Sequence, residues 1–209
     1  MINGKQNKRA LIEGRAALIV IDIQQSTFVE KDVRSIPHMA DYAERMARSR
    51  AVIDMARKTG IPVVFIQEIH RADLVDFGRE LDGDEDVHCL DDNPETDIAR
   101  EVLDFRPGDY LIQKRRYSAF YGTDLEILLR GLKVDTLILT GGLTDVCVHY
   151  TFVDAHQGDY FCRVIDECVA GSSIEAHNAA LRAMEYLQTG AIRQMDEVLS
   201  AMSANLAAE

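Results

Sequence analysis

Short apolar runs that alternate with helix-length amphipathic runs are the feature of this 209-residue chain that most constrains its fold. Runs such as ALIVIDI are apolar at consecutive positions, which predicts strands that are buried on both faces. Strands are predicted at 16–23, 61–67, 109–114, 135–141, 159–166 and at the start of 191–202. Helices are predicted at 38–60, 122–132, around residue 147, at 172–187 and at the end of 191–202. This alternation predicts an α/β fold, a Rossmann-like three-layer sandwich with a six-stranded, mostly parallel sheet and helices on both faces.

The length fits one domain of this class, which we expect to span residues 1–209. Residues 68–108 break the alternation, because about forty residues show little helical or strand pattern. Ordinary connections run to roughly six residues, so we expect this excursion to form a functional lid or a contact between subunits. A solvated surface loop, rich in acidic residues, is the alternative interpretation.

Composition excludes several classes of partner. The formal net charge is −12 and the pI is near 4.9, so the surface repels phosphate backbones and anionic lipid, and we expect neither nucleic acid nor membrane as a partner. The N-terminal segment has no apolar signal-peptide region, which favours a cytoplasmic location and reduced thiols. The four cysteines, Cys89, Cys147, Cys162 and Cys168, form no CxxC pair, and we expect Cys162 and Cys168 to be small core residues.

Reactive side chains follow the predicted strands at their carboxyl ends, where ligands bind in open parallel sheets. Asp22 interrupts an apolar strand, where a charge must be paired, and Lys114 ends another. Cys147 follows a Gly-Gly pair near a helix N-terminus, which is expected to lower a thiol pKa. Each residue alone has an ordinary interpretation: a loop cap, a solvated lysine and a core cysteine. Together a carboxylate, an ammonium and a thiol are the parts of a nucleophilic amide hydrolase.

Three segments carry a family resemblance: IVIDIQ around Asp22, KRRYSAFYGTDLEILLR from Lys114, and ILTGGLTDVCVHYTFVDA around Cys147. From about residue 15 to residue 187 the chain resembles the isochorismatase-like cysteine hydrolases. These include nicotinamidases, N-carbamoylsarcosine amidases, biuret and ureidoacrylate hydrolases, and isochorismatase itself. The resemblance implies a catalytic triad of Asp22, Lys114 and Cys147 that hydrolyses a C–N bond through a thioester. It further implies a cis peptide bond between Gly142 and Leu143, an oxyanion hole formed by the N–H groups of Leu143 and Cys147, and a homodimer or homotetramer.

Two other functions stay open at this point. Isochorismatases cleave a vinyl ether with an acid, a role that Asp22 could fill, whereas retention of Cys147 favours C–N hydrolysis. The fold could instead serve as a non-catalytic interaction or redox-sensing module in which Cys147 is only oxidised.

A resident metal is not expected from the sequence, and neither is any other cofactor. Nicotinamidases hold a divalent ion with an Asp-x-His motif after the second strand and a further His. Here Glu68 and His70 stand at the first two positions, but Leu74 stands where the further His is expected. Two side-chain ligands would hold an ion weakly, although Asp73 could supply a third. Glu68 and His70 are therefore weak candidates for a metal site, and nicotinamidase activity is a minor alternative. The VHC step at 87–89 resembles an HC step of nicotinamidases without the GT that follows it there.

Substrate recognition is predicted at the mouth of the site. Arginine guanidinium groups suit a carboxylate or a ureido carbonyl, although pairing of Arg115 and Arg116 with the acidic excursion is an equal alternative. Gln24 would donate to the substrate or orient Asp22, and His70 would form hydrogen bonds in the pocket or lid. The candidate substrate-binding residues are Gln24, His70, Arg71, Arg116 and Tyr117. The preferred substrate is a small linear amide or carbamoyl compound of the ureido or biuret kind.

Overall fold

A computed structural model of the protein describes residues 10–29 and 36–206. Its six strands form one sheet in which every neighbouring pair is parallel, in the order β3-β2-β1-β4-β5-β6. The strands are β1 (Ala16–Ile21), β2 (Val63–Glu68), β3 (Tyr110–Lys114), β4 (Thr136–Gly142), β5 (Phe161–Ala170) and β6 (Ile192–Arg193). The predicted α/β class and six-stranded sheet are therefore confirmed.

The helices are α1 (Tyr42–Lys58), α2 (Arg100–Leu103), α3 (Leu125–Gly131), α4 (His149–Gln157), α5 (Ile174–Leu187) and α6 (Met195–Leu206). Ser173 caps the N-terminus of α5 by accepting a hydrogen bond from the Ala176 N–H at 3.1 Å. Cys147 lies outside α4, in one π-helical turn, Thr144–Val148, that precedes it. None of the helices in the described ranges has the length and apolar content needed to cross a bilayer.

Alternate side chains along the strands pack into two separate hydrophobic cores. In β1 all six residues are buried; Leu18 and Val20 join one core, whereas Ala17, Ile19 and Ile21 join the other. The first core packs against α1 and α6, and the second against α3, α4 and α5. Because a buried Leu or Ile contributes roughly 1.5–3 kcal/mol, these two cores fix the sheet and therefore the strand ends that carry the polar residues.

The strand order reverses between β1 and β4, and two glycines let the chain pass closely there. Gly141 has a φ of 116°, and a Cβ at this position would clash with the main chain of Ile21 on β1. A Cβ on Gly142 would clash with the Tyr42 ring of α1. The ends of β1 and β4 therefore meet beside α1, at the topological switch point where ligands bind in such sheets.

The long connection between β2 and β3, residues 69–109, is called the lid segment below. It contains two 3₁₀ turns (Glu80–Asp82 and Pro94–Thr96) and the short helix α2. Isolated β-bridges join His70 to Leu90 and Gln24 to Ile98, and so fasten the segment to itself and to the end of β1. The lid segment thus lacks regular structure over most of its length but is tied to the strand ends.

Candidate active site

A cavity of about 730 Å³ opens at the carboxyl ends of β1, β2 and β4. The strand ends contribute Asp22, Glu68, Gly142, Leu143 and Cys147 to its walls, and the lid segment contributes Glu85, His88 and Cys89. Its volume lies within the range of small-molecule sites. The cavity is therefore the candidate active site, and it coincides with the switch point of the sheet.

Lys114 lies beneath the cavity and joins its reactive groups. Its side chain is fully buried, with Nζ 2.9 Å from Asp22 Oδ2, and it donates a hydrogen bond of 3.4 Å to Cys147 Sγ. It also pairs with Glu68, which faces it in the register of β2 and β3. Burial opposes the lysine charge, but Asp22, Cys147 and Glu68 together raise its pKa well above the usual value. The structure thus brings Asp22, Lys114 and Cys147 into direct contact around a permanent cation.

Asp22 is poised to exchange a proton near neutral pH. Its backbone takes a left-handed φ of 51°, a region that few non-glycine residues adopt, directly after β1. Burial raises the pKa of its carboxyl to about 6, with Lys114 opposing the rise and Glu68 adding to it. A carboxylate with such a pKa is ionised at neutral pH and can still accept a proton from a neighbour.

The pKa of Cys147 differs from the expectation drawn from the helix N-terminus. Burial raises it well above the usual thiol value; Lys114 opposes this, whereas Asp22 and Glu68 add to it. The expected lowering of the thiol pKa is therefore wrong, because burial, together with the two carboxylates, outweighs the effect of one ammonium. The neutral thiol lies 7% exposed at the cavity wall, and a base must remove its proton before it can attack.

Glu68 is a functional candidate that the sequence placed only among weak metal ligands. The Cys147 thiol donates to Glu68 Oε2 at 3.6 Å, and His88 Nε2 lies 2.9 Å from Glu68 Oε1. Burial disfavours its charge, yet Lys114 and the neighbouring imidazoles of His70 and His88 hold the pKa of Glu68 well below its usual value. The signal was a charge at the end of the apolar run VVFIQE, the same signal that identified Asp22.

The peptide bond between Gly142 and Leu143 is cis, at the position that the resemblance implied. Leu143 and Cys147 both line the cavity, on the turn that follows β4. Asp145, between them, accepts hydrogen bonds from the N–H and hydroxyl of Ser172 at 2.8 and 2.6 Å. Thr144 hydrogen-bonds His177 Nδ1 at 2.9 Å. These contacts hold the turn Thr144–Val148 against the start of α5.

Gln24 and His70 are placed differently from the roles expected of them. Gln24 lines the cavity, but its amide donates to the carbonyls of Glu68 and Thr96 and accepts from the Glu68 N–H, so it joins β1, β2 and the lid segment. His70 is fully buried, stacks on Phe77 at 3.9 Å and is not among the described residues that line the cavity. Neither side chain is free to bind a substrate in this arrangement.

The arginines lie outside the cavity wall, whereas Tyr117 lies on it. Arg71 is more than half exposed and pairs with Asp73 at 2.8 Å. Arg115 pairs with Asp76 of the lid segment at 2.9 Å, and Arg116 donates to the Asp76 carbonyl. The alternative of pairing with the acidic lid segment therefore describes Arg115 and Arg116 in the structure.

A model of the isochorismatase domain matches residues 16–197, most of the chain. The chain belongs to the isochorismatase domain family. It is 30% identical over 199 residues to a ureidoacrylate amidohydrolase of Methylobacterium radiotolerans, covering 84% of this chain and 75% of that one. An isochorismatase-like hydrolase of Alkaliphilus metalliredigens matches with a TM-score of 0.78 and 26% identity, over 90% of this chain and 99% of the other. Membership confirms the predicted hydrolase family and the fold that it implied.

A zinc complex of a pyrazinamidase of Pyrococcus horikoshii is a further neighbour of this isochorismatase-family chain, with a TM-score of 0.74 and 25% identity over 87% of this chain and 100% of that one. That likeness raises the question of whether the residues present here fit a metal ion. Asp73 is exposed and paired with Arg71, and the exposed side chain of Leu74 has no atom that binds a metal. Neither residue therefore completes a set of metal ligands.

Glu80 of the lid segment does complete one. His70 Nε2 lies 3.5 Å from Glu68 Oε1 and 3.4 Å from Glu80 Oε2, and the ligand atoms of these three buried residues all lie within 4.8 Å of one another. The ring nitrogens of His70 and both Glu80 carboxylate oxygens are buried without a hydrogen-bond partner in the described part of the chain. One imidazole and two carboxylates suit a divalent transition metal, so these residues fit. His88 contacts the same Glu68 but belongs to a second group, with Cys89. His88 and Glu80 lie too far along an irregular segment for the sequence to assign them.

Proposed function

We propose that this isochorismatase-family hydrolase cleaves the C–N bond of a small amide or carbamoyl compound through a thioester on Cys147. The observation that carries the proposal is the contact of Lys114 with both Asp22 and Cys147 at the wall of one cavity. The ureidoacrylate amidohydrolase among its relatives supports the choice of C–N bonds.

In the first half-reaction Asp22 takes the thiol proton as Cys147 Sγ attacks the carbonyl carbon. The raised pKa of the thiol makes this base necessary, and the Asp22 pKa of about 6 leaves its carboxylate ionised at neutral pH. Lys114 remains charged and offsets the negative charge that develops beside it. The protonated Asp22 then gives its proton to the leaving nitrogen, which departs as ammonia or an amine and leaves an acyl thioester.

In the second half-reaction Asp22 removes a proton from water, which attacks the thioester carbonyl and releases the acid product and the thiol. The N–H groups of Leu143 and Cys147 are proposed to bind the oxyanion in both steps, since both residues line the cavity. Glu68 keeps Lys114 ionised and in place, which is a positioning role. A divalent ion held by Glu68, His70 and Glu80 would supply a positive charge beside the carboxylate that the thiol contacts. The homodimer or homotetramer expected from the resemblance stays a prediction.

Screening ammonia release from a panel of primary amides, ureides, biuret, ureidoacrylate, nicotinamide and pyrazinamide tests the proposal. The wild-type protein is expected to hydrolyse at least one compound of the panel, and the Cys147→Ala variant is expected to hydrolyse none. A parallel assay with isochorismate covers the vinyl-ether alternative, in which Asp22 is the acid. Turnover of isochorismate that persists in Cys147→Ala, with no amide hydrolysed, would overturn the C–N assignment.

A further inference from the structure

One carboxylate in the cavity has no part in the proposed reaction. Glu85 belongs to the lid segment and lines the same cavity as Cys147 and Asp22. It is partly buried, and it forms no hydrogen bond or ion pair with any residue that the structure describes. Burial raises the pKa of its carboxyl, which shows that the cavity disfavours its charge when no ligand is present.

The turn that presents Glu85 is held in place from the strand ends. His88 Nδ1 lies 2.6 Å from the Asp86 carbonyl and its Nε2 lies 2.9 Å from Glu68 Oε1, so the ring bridges the lid segment and the end of β2. Both ring nitrogens of His88 are thereby engaged, and the turn that carries Glu85 is tied to the end of β2.

The three carboxylates among the described residues of the cavity wall differ in their pairing. Asp22 and Glu68 both pair with Lys114, and Glu68 also contacts His88. No lysine or arginine occurs among the described residues of the cavity wall. Glu85 is the one of these three carboxylates that forms no ion pair with a described residue.

The remainder of the wall carries both polar and apolar side chains. The polar ones include Gln24, Ser26, Thr27 and His38, and the apolar or aromatic ones include Phe28, Val29, Ile36, Tyr42, Tyr117 and Val146. Burial raises the pKa of Tyr117 to about 12, with Glu80 and Glu85 adding to the rise, so the phenol stays neutral beside Glu85. Aromatic faces next to a carboxylate are a combination that binds organic cations.

Resting on the proposed function, we propose that Glu85 determines specificity by binding a cationic nitrogen of the substrate, a protonated amine or guanidinium, on the part remote from the scissile amide. The amide lies at Cys147, the linking carbons contact the apolar wall, and the cation pairs with Glu85. Recognition of a substrate carboxylate or ureido carbonyl by Arg71 or Arg116, the alternative suggested by the sequence, fits less well because neither arginine lies on the cavity wall. A charge-assisted hydrogen bond to a partly buried carboxylate is strong enough to select among substrates.

Matched primary amides test this assignment. Glycinamide, β-alaninamide, γ-aminobutyramide and lysinamide are each compared with an isostere that ends in methyl and one that ends in carboxylate. For the chain length that reaches Glu85, kcat/KM for the amine is expected to exceed that of the methyl isostere about tenfold or more. Glu85→Gln is expected to bring that ratio close to one, and Glu85→Lys to favour the carboxylate. Asp84→Asn, on the neighbouring exposed residue, is the matched control and leaves the ratio unchanged.

Because both substrates are compared in the same protein sample, a loss of folded enzyme lowers both rates equally and leaves the ratio of their kcat/KM values unchanged. A structural defect of a variant therefore does not imitate the effect. Calorimetric binding of the same amides to Cys147→Ala separates recognition from chemistry. A binding preference for the amine that disappears in Glu85→Gln supports the assignment even if no amide is hydrolysed, in which case only the proposed function fails. Equal binding and turnover of amine and methyl isosteres, or an unchanged ratio in Glu85→Gln, would overturn the role of Glu85.

Discussion

The strand ends and the lid segment build the same cavity by different means. Asp22, Glu68, Lys114 and Cys147 are placed by the register of β1 to β4, with two buried cores holding the sheet from both sides. Glu80, Glu85 and His88 are placed by side-chain contacts of an irregular segment, chiefly those of His88 with Glu68 and Asp86. Under the two proposals above, the chemistry belongs to the strand ends and the recognition of the substrate to the lid segment.

Loss of the nucleophile is the most severe test of the strand-end half of this comparison. Cys147→Ala is expected to lower kcat for amide hydrolysis about 10³-fold or more, because it removes the thiol that contacts both Lys114 and Glu68. Cys168→Ala is the matched control: this cysteine is fully buried in the core that packs on α1, and its loss should reduce stability but not the rate per folded molecule. An active Cys147→Ala variant would contradict the mechanism.

Asp22→Asn tests the base and is expected to lower kcat/KM by about 10²–10⁴-fold, the usual contribution of general acid–base catalysis. The amide keeps the volume of the carboxylate but cannot accept the thiol proton. In the wild-type protein, treated with a chelator, kcat/KM should rise about tenfold per pH unit up to about pH 6 and then level off, since Asp22 must be ionised to act. A flat profile between pH 5 and 7 would assign the base to another group.

The strand-end residues were accessible from the sequence because their positions follow from periodicity. Apolar runs fix where each strand stops, and parallel strands bring their carboxyl ends to one edge, so Asp22, Lys114 and Cys147 were expected to be neighbours. Their catalytic roles rest on the proposal above. Glu68 satisfied the same reasoning but was assigned only to a metal site, because its partner in the register of β2 and β3 was not known.

The lid segment was not accessible in this way. His88 contacts Glu68 across twenty residues of chain without repeating structure, and no local pattern reports such a contact. The arginines are the opposite case, because the sequence predicted them at the mouth of the site and the structure places them outside the cavity wall. Arg71 and Arg116 follow strands that lead to the site, but Arg71 pairs with Asp73 two residues away and Arg116 donates to the Asp76 carbonyl forty residues away, so neither lies on the cavity wall. Irregular segments are arranged by individual side-chain contacts, which composition and spacing do not encode.

Zinc binding sharpens the comparison on the side of the lid segment. Because Glu68, His70 and Glu80 present a buried donor set, Zn²⁺ at about a hundred times its dissociation constant is expected to raise the melting temperature by about 5 °C or more. Glu80→Gln should abolish most of this rise, whereas Cys147→Ala should keep it, since the thiol lies outside the set formed with His70. An equal rise in wild type and Glu80→Gln would remove Glu80 from the donor set.

The smallest expected effect concerns the attachment of the lid segment at high pH. The pKa of His88 is raised from 6.5 to about 9, so its pairing with Glu68 stabilises the folded state fully below pH 6.5 and is lost as the pH rises through about 9. In chelator, hydrogen exchange of peptides from residues 83–90, corrected for the intrinsic rate, should lose roughly tenfold in protection between pH 7 and 10, whereas β1 and β4 peptides keep theirs. In His88→Gln the protection of the lid segment should be lower and independent of pH over this range, because a neutral amide has no charge to lose. If the hydrogen-exchange protection of the lid segment and of the strands depends equally on pH, the two regions open together, and the lid segment does not detach separately from the sheet.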